Sequence, residues 1–431
     1  MKPLLFTNVR LIDPKSGLDK LGRLLVKGGK IAAIDLPEAE KTPEDCETID
    51  GQGAVLCPGL VDMRVTVGEP GYEYRETIAT AAEASAAGGI TTMAILPNSK
   101  PAIDNPALVS LLKAKGEETR SVTILPYGAL SVGCEGKEMA EIGLLHEAGA
   151  IAFTDGNKAL ENTRLMMLTM SYARGYNCLI VQHPEDPSLA KSGSATRGEL
   201  ATKLGLPSIP AAAEAIMIAR DLRLAELTGC RLHFGHISTA EGLALIRQAK
   251  TKGLPVSCDT APVYFDLNEE AIGDFRTYAK LSPPLRSEED RQAVCQALGD
   301  GTIDAIASDH LPRDVDDKRL PFAEAAAGGT GLVTLLSVTL LRMKESNLSL
   351  LSALSLLTHR PAELLGQPFG TLSLGAEADL CLFDPDQTWL VEAGKLPGRA
   401  QNTPFDNREL PGVVLGTWKS GRRVYTRQNA S

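Results

Sequence analysis

The strongest constraint on this chain is an alternation. Between about residues 56 and 365, short apolar runs are separated by amphipathic stretches rich in Ala, Leu and Glu. The apolar runs include "GITTMAILPN", "SVTILPYGAL", "NCLIVQH", "RLHFGHIS", "PVSCDTAP" and "IDAIASDH". The intervening stretches include "ETIATAAEASAAGG" and "AEGLALIRQAKTKG". Strand then helix, repeated about eight times, predicts an α/β fold of the (β/α)8 barrel type. An open doubly wound sheet is the alternative, but the first run is not followed by a glycine-rich phosphate-binding turn.

The ends of the apolar runs carry polar residues. Asp62, Asn98, Asp155, His183, His236 and Asp309 each lie at such an end or one to three residues past it. In a barrel these ends gather on one face, where catalytic groups sit. Residues 1–55 and 366–431 have another texture, with alternating apolar segments punctuated by Gly, Asp and Pro. They predict one small β-sandwich built from both termini, around a barrel spanning 56–365.

Bulk properties narrow the function. The chain has 431 residues, a formal net charge of −10 and no long basic run, which argues against nucleic acid or an anionic membrane as partner. No stretch approaches the ~20 apolar residues of a membrane span. The N-terminal "MKPLLFTNVRLIDP" lacks a signal-peptide pattern, so a cytoplasmic location is expected. The eight cysteines form no CxxC pair and read as reduced core residues.

The candidate site starts from "PGLVDMRVTVGEPG". A strand ending in Asp-x-His-x-His commonly opens a two-metal site. Here Asp62 is followed by Arg64 and Thr66 where that motif has its histidines. Of the six histidines, His183 and His236 stand at strand tips. His233 has the opposite parity to His236 and should face away. His146 and His359 read as surface and helix-end residues. Asp155 precedes a glycine, a turn signal. With His183 and His236 it also makes a three-ligand zinc set with room for water. Asp309 would then accept that water's proton.

These segments together resemble the dihydroorotase family. The resemblance rests on "VDMRVTVGEPGYEYRETIATAAEASAAGGITTMAILPNSKPAIDN", "LGLPSIPAAAEAIMIARD", "LHFGHIST", "LSPPLRSEEDR", "IASDHLPRD" and "FGTLSLGAEADLCLFD". It covers nearly the whole chain and is of the larger, type I kind within the amidohydrolase superfamily. It implies reversible closure of N-carbamoyl-L-aspartate to dihydroorotate in pyrimidine synthesis. It assigns Asp155, His183 and His236 to a metal, Asp309 to general base and Asn98 to substrate.

Several positions depart from the family pattern. The two first-motif histidines are Arg64 and Thr66, and the arginine that follows them is Gly68. The last histidine of the late motif is Arg313, a candidate substitute for binding a substrate carboxylate. Val263-Tyr264 replaces a His-His pair, and Ser282 replaces an Asn. Arginine cannot ligate Zn²⁺ at neutral pH. The expectation is therefore one zinc ion or none, with Arg64 in the vacated seat, paired with Asp309 or Asp155. The alternative is an inactive dihydroorotase-like subunit that scaffolds aspartate transcarbamoylase. A homo-oligomer acting on a small-molecule substrate is expected.

Overall fold

The computed structural model describes residues 2–37 and 45–427. Residues 38–44 and 428–431, at the margins of the expected terminal unit, lie outside the described residues.

The first apolar run of the middle region forms the strand Leu60–Val65, buried at all six positions. Burial on both faces is what a parallel strand covered by helices requires. It pairs in parallel with Ile90–Ile95, which pairs with Thr123–Pro126. Single parallel bridges through Phe153 carry the sheet from Gly128 to Ile180. The strand Leu179–Gln182 then pairs with Arg231–Phe234, which pairs with Val256–Thr260, and that with Ala305–Ile306. A bridge between His310 and Val65, backed by the Thr66 amide donating to the His310 carbonyl at 2.8 Å, returns to the start. Eight staves close into a ring, so the barrel expectation holds and the open sheet is excluded.

The helices between the staves are set by local chemistry. Asn105 accepts from the Leu108 amide at the head of Pro106–Thr119, with Pro106 in the first turn, where no amide proton is needed. Ser287 caps Glu288–Gly299, whose first turn holds Glu288, Glu289 and Asp290 against the positive end of the helix dipole. Each cap contributes about 1 kcal/mol. Gly229 ends Ala212–Thr228 at φ 66°, a conformation that suits glycine.

The two termini meet in one eight-stranded mixed sheet. Leu4–Asp13 pairs with Leu18–Lys27 and in parallel with Val55–Pro58, and the latter pairs with Leu380–Leu390 from the other end of the chain. Phe6 and Trp418 lie on strands three steps apart in this order, yet their rings meet edge to face at 4.9 Å. The sheet therefore curls into two packed layers over a core that includes Leu11, Leu24, Leu56 and Leu380. All eight cysteines are free, and only Cys46 is not fully buried. Among the described residues, no helix is long and apolar enough to cross a membrane.

Candidate active site

The closed ring brings the carboxyl ends of the staves to one mouth. Near its centre lies Arg64, 2% exposed and among the largest buried side chains. Its Nε donates to Oδ1 of Asp309 at 2.9 Å. Its Nη2 donates to the Gly156 carbonyl at 3.2 Å and to Oδ1 of Asn157 at 3.1 Å. The Nη1 nitrogen is buried without a partner and packs over Gly235, where a Cβ would stand 2.9 Å from it. Thr66 Oγ1 accepts from Nδ2 of Asn157 at 3.2 Å, so Asn157 ties Arg64 and Thr66 together. A buried guanidinium is tolerated only when paired. Asp309 is that pair, and Asp155 forms no hydrogen bond or ion pair with Arg64.

Asp309 also faces His236, with Oδ2 3.1 Å from Nδ1. The far nitrogen of His236, Nε2, lies 2.6 Å from Nδ1 of His183. His183 Nε2 lies 3.7 Å from Oε2 of Glu185. The result is a buried file, Arg64–Asp309–His236–His183–Glu185. Burial and the neighbouring Arg64 push the His236 ring down to about 4, so it is neutral near pH 7. Burial alone would raise the Asp309 carboxyl. The His236 ring and the Arg64 guanidinium outweigh it and hold Asp309 below the ordinary carboxylate range.

The backbone is bent to present both groups. His236 and Asp309 sit at φ 43° and 49°, a left-handed conformation uncommon for residues with a side chain. Such strain persists only when the surroundings fix it, and it concentrates at functional sites. The His236 amide donates to Oδ1 of Asp259 at 2.6 Å. Oδ2 of Asp259 meets His233 Nε2 at 2.9 Å, and His233 Nδ1 meets Ser257 Oγ at 2.8 Å. His233 thus engages Asp259 and Ser257 and helps hold the turn. Asp62 accepts from the amides of Arg64 and Ser308, and burial pushes its carboxyl up to about 6.

The other expected residues are placed as follows. Oδ1 of Asp155 accepts from the amides of Leu130 and Ser131 at 3.0 and 2.9 Å, and its Oδ2 accepts from Ser131 Oγ at 2.6 Å. Asn98 Nδ2 donates to the Asp155 carbonyl at 2.9 Å, and its Oδ1 accepts from the Asn157 amide at 2.9 Å. Asn98 therefore clamps the 155–157 turn. Arg313 Nε donates to the Ala327 carbonyl at 2.7 Å. Asn98, Thr66 and Arg313 line a shared cavity of about 600 Å³ at the mouth, together with Lys100 and Lys158.

The donor set does not fit a zinc ion as it stands. The Asp155 oxygens are taken up by three donors, and facing nitrogens of His183 and His236 contact each other. A buried cation occupies the same pocket. Among the described residues, no three His, Cys, Asp or Glu side chains are grouped to hold a metal ion. The expected Asp155–His183–His236 set is thus split: the imidazoles meet, and the carboxylate is engaged elsewhere.

Three site residues escaped the sequence reading. Glu185 and Asn157 each follow a recognised residue by two positions, in "HPED" and "DGNK". Asp259 ends the apolar run "PVSCD" just as the recognised carboxylates end theirs, and that was the available signal.

A closed barrel with this mouth, joined to a sheet from both termini, is the architecture of hydrolases of cyclic amides. L-hydantoinase (dihydropyrimidinase) from Arthrobacter aurescens superposes with a TM-score of 0.88 at 27% identity, covering 100% of this chain and 97% of that one. Dihydropyrimidinase from Brevibacillus agri shares the fold, with a TM-score of 0.84 at 21% identity over 98% of this chain and 95% of that one.

Within that class the sequence is more specific. The Dihydro-orotase-like family profile matches residues 53–242. A dihydroorotase of Syntrophus aciditrophicus is 43% identical over 98% of this chain and 99% of its own length. A dihydroorotase of Geobacter metallireducens is 42% identical over 98% and 100%. The chain belongs to the dihydroorotase family.

Proposed function

We propose that this chain interconverts N-carbamoyl-L-aspartate and dihydroorotate, a step of de novo pyrimidine biosynthesis, with the Arg64 guanidinium in place of a first metal ion. The observation that carries this reading is the contact of Asp309 with both His236 and Arg64 at the barrel mouth. The full-length identity to dihydroorotases supports the choice of substrate. Of one zinc ion or none, the donor positions favour none.

The residues have separable tasks. In ring opening, Asp309 accepts a proton from water as the water oxygen bonds to the ring carbonyl carbon. The carbon–nitrogen bond then breaks, and Asp309 returns the proton to the departing nitrogen. The Arg64 guanidinium supplies a fixed positive charge for the oxygen that gains charge. Neutral His236 orients the second oxygen of Asp309. Arg313 at the mouth is the cation for a substrate carboxylate. A homo-oligomer in the cytoplasm goes with this reading.

The same ion pair favours a second reading. A carboxylate held ionised by a guanidinium is a weak proton acceptor. On that reading the chain is a non-catalytic subunit that scaffolds aspartate transcarbamoylase. Rates on dihydroorotate, with Asp309→Ala as control, separate the two. A rate abolished by that change supports the enzyme. No rate, together with co-elution with aspartate transcarbamoylase on sizing, supports the scaffold.

A further inference from the structure

The opposite mouth of the barrel holds a cavity of about 980 Å³. Its floor is the strand Thr123–Pro126, Asn177 and Cys178 just before the strand Leu179–Gln182, and Arg231 at the start of the strand Arg231–Phe234, with Ile124, Leu125 and Ile151 as apolar surface. Its rim is basic, with Lys113, Arg120 and Arg231 from the barrel and Lys419 and Arg422 from the terminal sheet. Glu117 is the one carboxylate in the lining. Lys419 pairs with Asp379, and Arg231 donates to the carbonyls of Asn177 and Leu364. Among the described residues no ion pair engages Lys113, Arg120 or Arg422, all three exposed.

Helix carbonyl ends also point to this mouth, at Thr119 and Ala148. Each carries roughly half a negative charge, too little to neutralise three free cations beside the paired ones. A chain of net charge −10 has therefore concentrated positive charge in one concave place. The volume matches a drug-sized ligand and is far larger than a lone inorganic ion needs. Arginine forks suit phosphate oxygens. Tyr176, 41% exposed, stands on the wall against His146, a surface for a flat ring.

We propose that this cavity binds a phosphate-bearing ligand of nucleotide size, with its phosphates on Lys113, Arg120 and Arg422 and its ring against Tyr176. The strand Leu179–Gln182 runs between Cys178 at the cavity and His183 at the other mouth, five residue steps or about 17 Å, so this is a second site and not an extension of the first.

The test is isothermal titration calorimetry on the full chain at low salt, with UTP, ATP, tripolyphosphate and inorganic phosphate as probes. A nucleoside triphosphate is expected to bind with a micromolar Kd and tripolyphosphate more weakly. Arg120→Glu and Arg422→Glu should each weaken nucleotide binding by about tenfold or more without moving Tm. Tyr176→Ala should weaken the nucleotides but not tripolyphosphate. No binding of any probe, or unchanged affinity in both charge-reversal variants, overturns the proposal. Equal affinity for tripolyphosphate and nucleotide overturns the assignment of the ring.

Discussion

Arg64 and Asp309, 245 positions apart in sequence, form an ion pair of 2.9 Å at the mouth of a closed barrel. The site thus carries its own buried cation beside the carboxylate.

Removing that cation should be costly. Arg64→Met leaves Asp309 facing His236 without its main counter-charge. Breaking a buried pair typically costs about 3–5 kcal/mol, and the 13% exposure of Asp309 puts the expectation at the low end. Urea unfolding of the variant should show a clearly lowered midpoint with an unchanged slope. A loss below about 0.5 kcal/mol would mean the pair is no stronger than a surface one.

Zinc uptake should follow the histidines. Elemental analysis after dialysis against zinc should find less than one ion per wild-type chain. The double variant Arg64→His/Thr66→His replaces a repelling cation with two nitrogen donors and should raise that content. Equal content in both proteins would count against Arg64 as the element that excludes the ion.

Gly156 should not tolerate a side chain. Its φ is 67°, and a Cβ there would fall 1.6 Å from Oδ1 of Asn98. Gly156→Ala would push Asn98 off the turn that also holds Asn157 under Arg64. Positive φ alone costs an alanine roughly 1–2 kcal/mol, and the clash adds to it. A fall in Tm of several degrees is expected, and an unchanged Tm would contradict the clamp assigned to Asn98.

Lys318 gives a pH signature. It is buried, donates to the carbonyls of Thr277 and Lys280, and burial with Arg313 nearby pushes its ammonium down to about 7. Between pH 7 and the ordinary lysine range the unfolded chain therefore binds the extra proton. Stability rises with pH wherever that is so. Lys318→Met should lack this rise, so the stability of the variant relative to wild type should fall as pH climbs from 7 towards 10. A pH-independent difference would contradict the shift.

The barrel was legible because buried parallel strands must be continuously apolar, and "GITTMAIL" and "NCLIVQ" are. His183, His236 and Asp309 were legible for the same reason, since each interrupts or ends such a run. The direction of the Asp155 side chain was not. Whether a carboxylate after a strand faces the mouth or accepts neighbouring amides depends on Leu130 and Ser131, which lie 25 and 24 positions away and carry no mark of it. The Phe153 stave lies in "AIAFTDG", and only single bridges hold it. Glu185 and Asn157 were missed because their roles arise from contacts with groups that only the closed ring brings near.

The central claim is best tested by the initial rate of dihydroorotate ring opening by chelator-treated wild-type protein, with and without added zinc. The account predicts a measurable rate that zinc does not increase and that Asp309→Ala and Arg64→Ala each abolish. No rate above the Asp309→Ala background, or a rate that appears only with zinc, would contradict it.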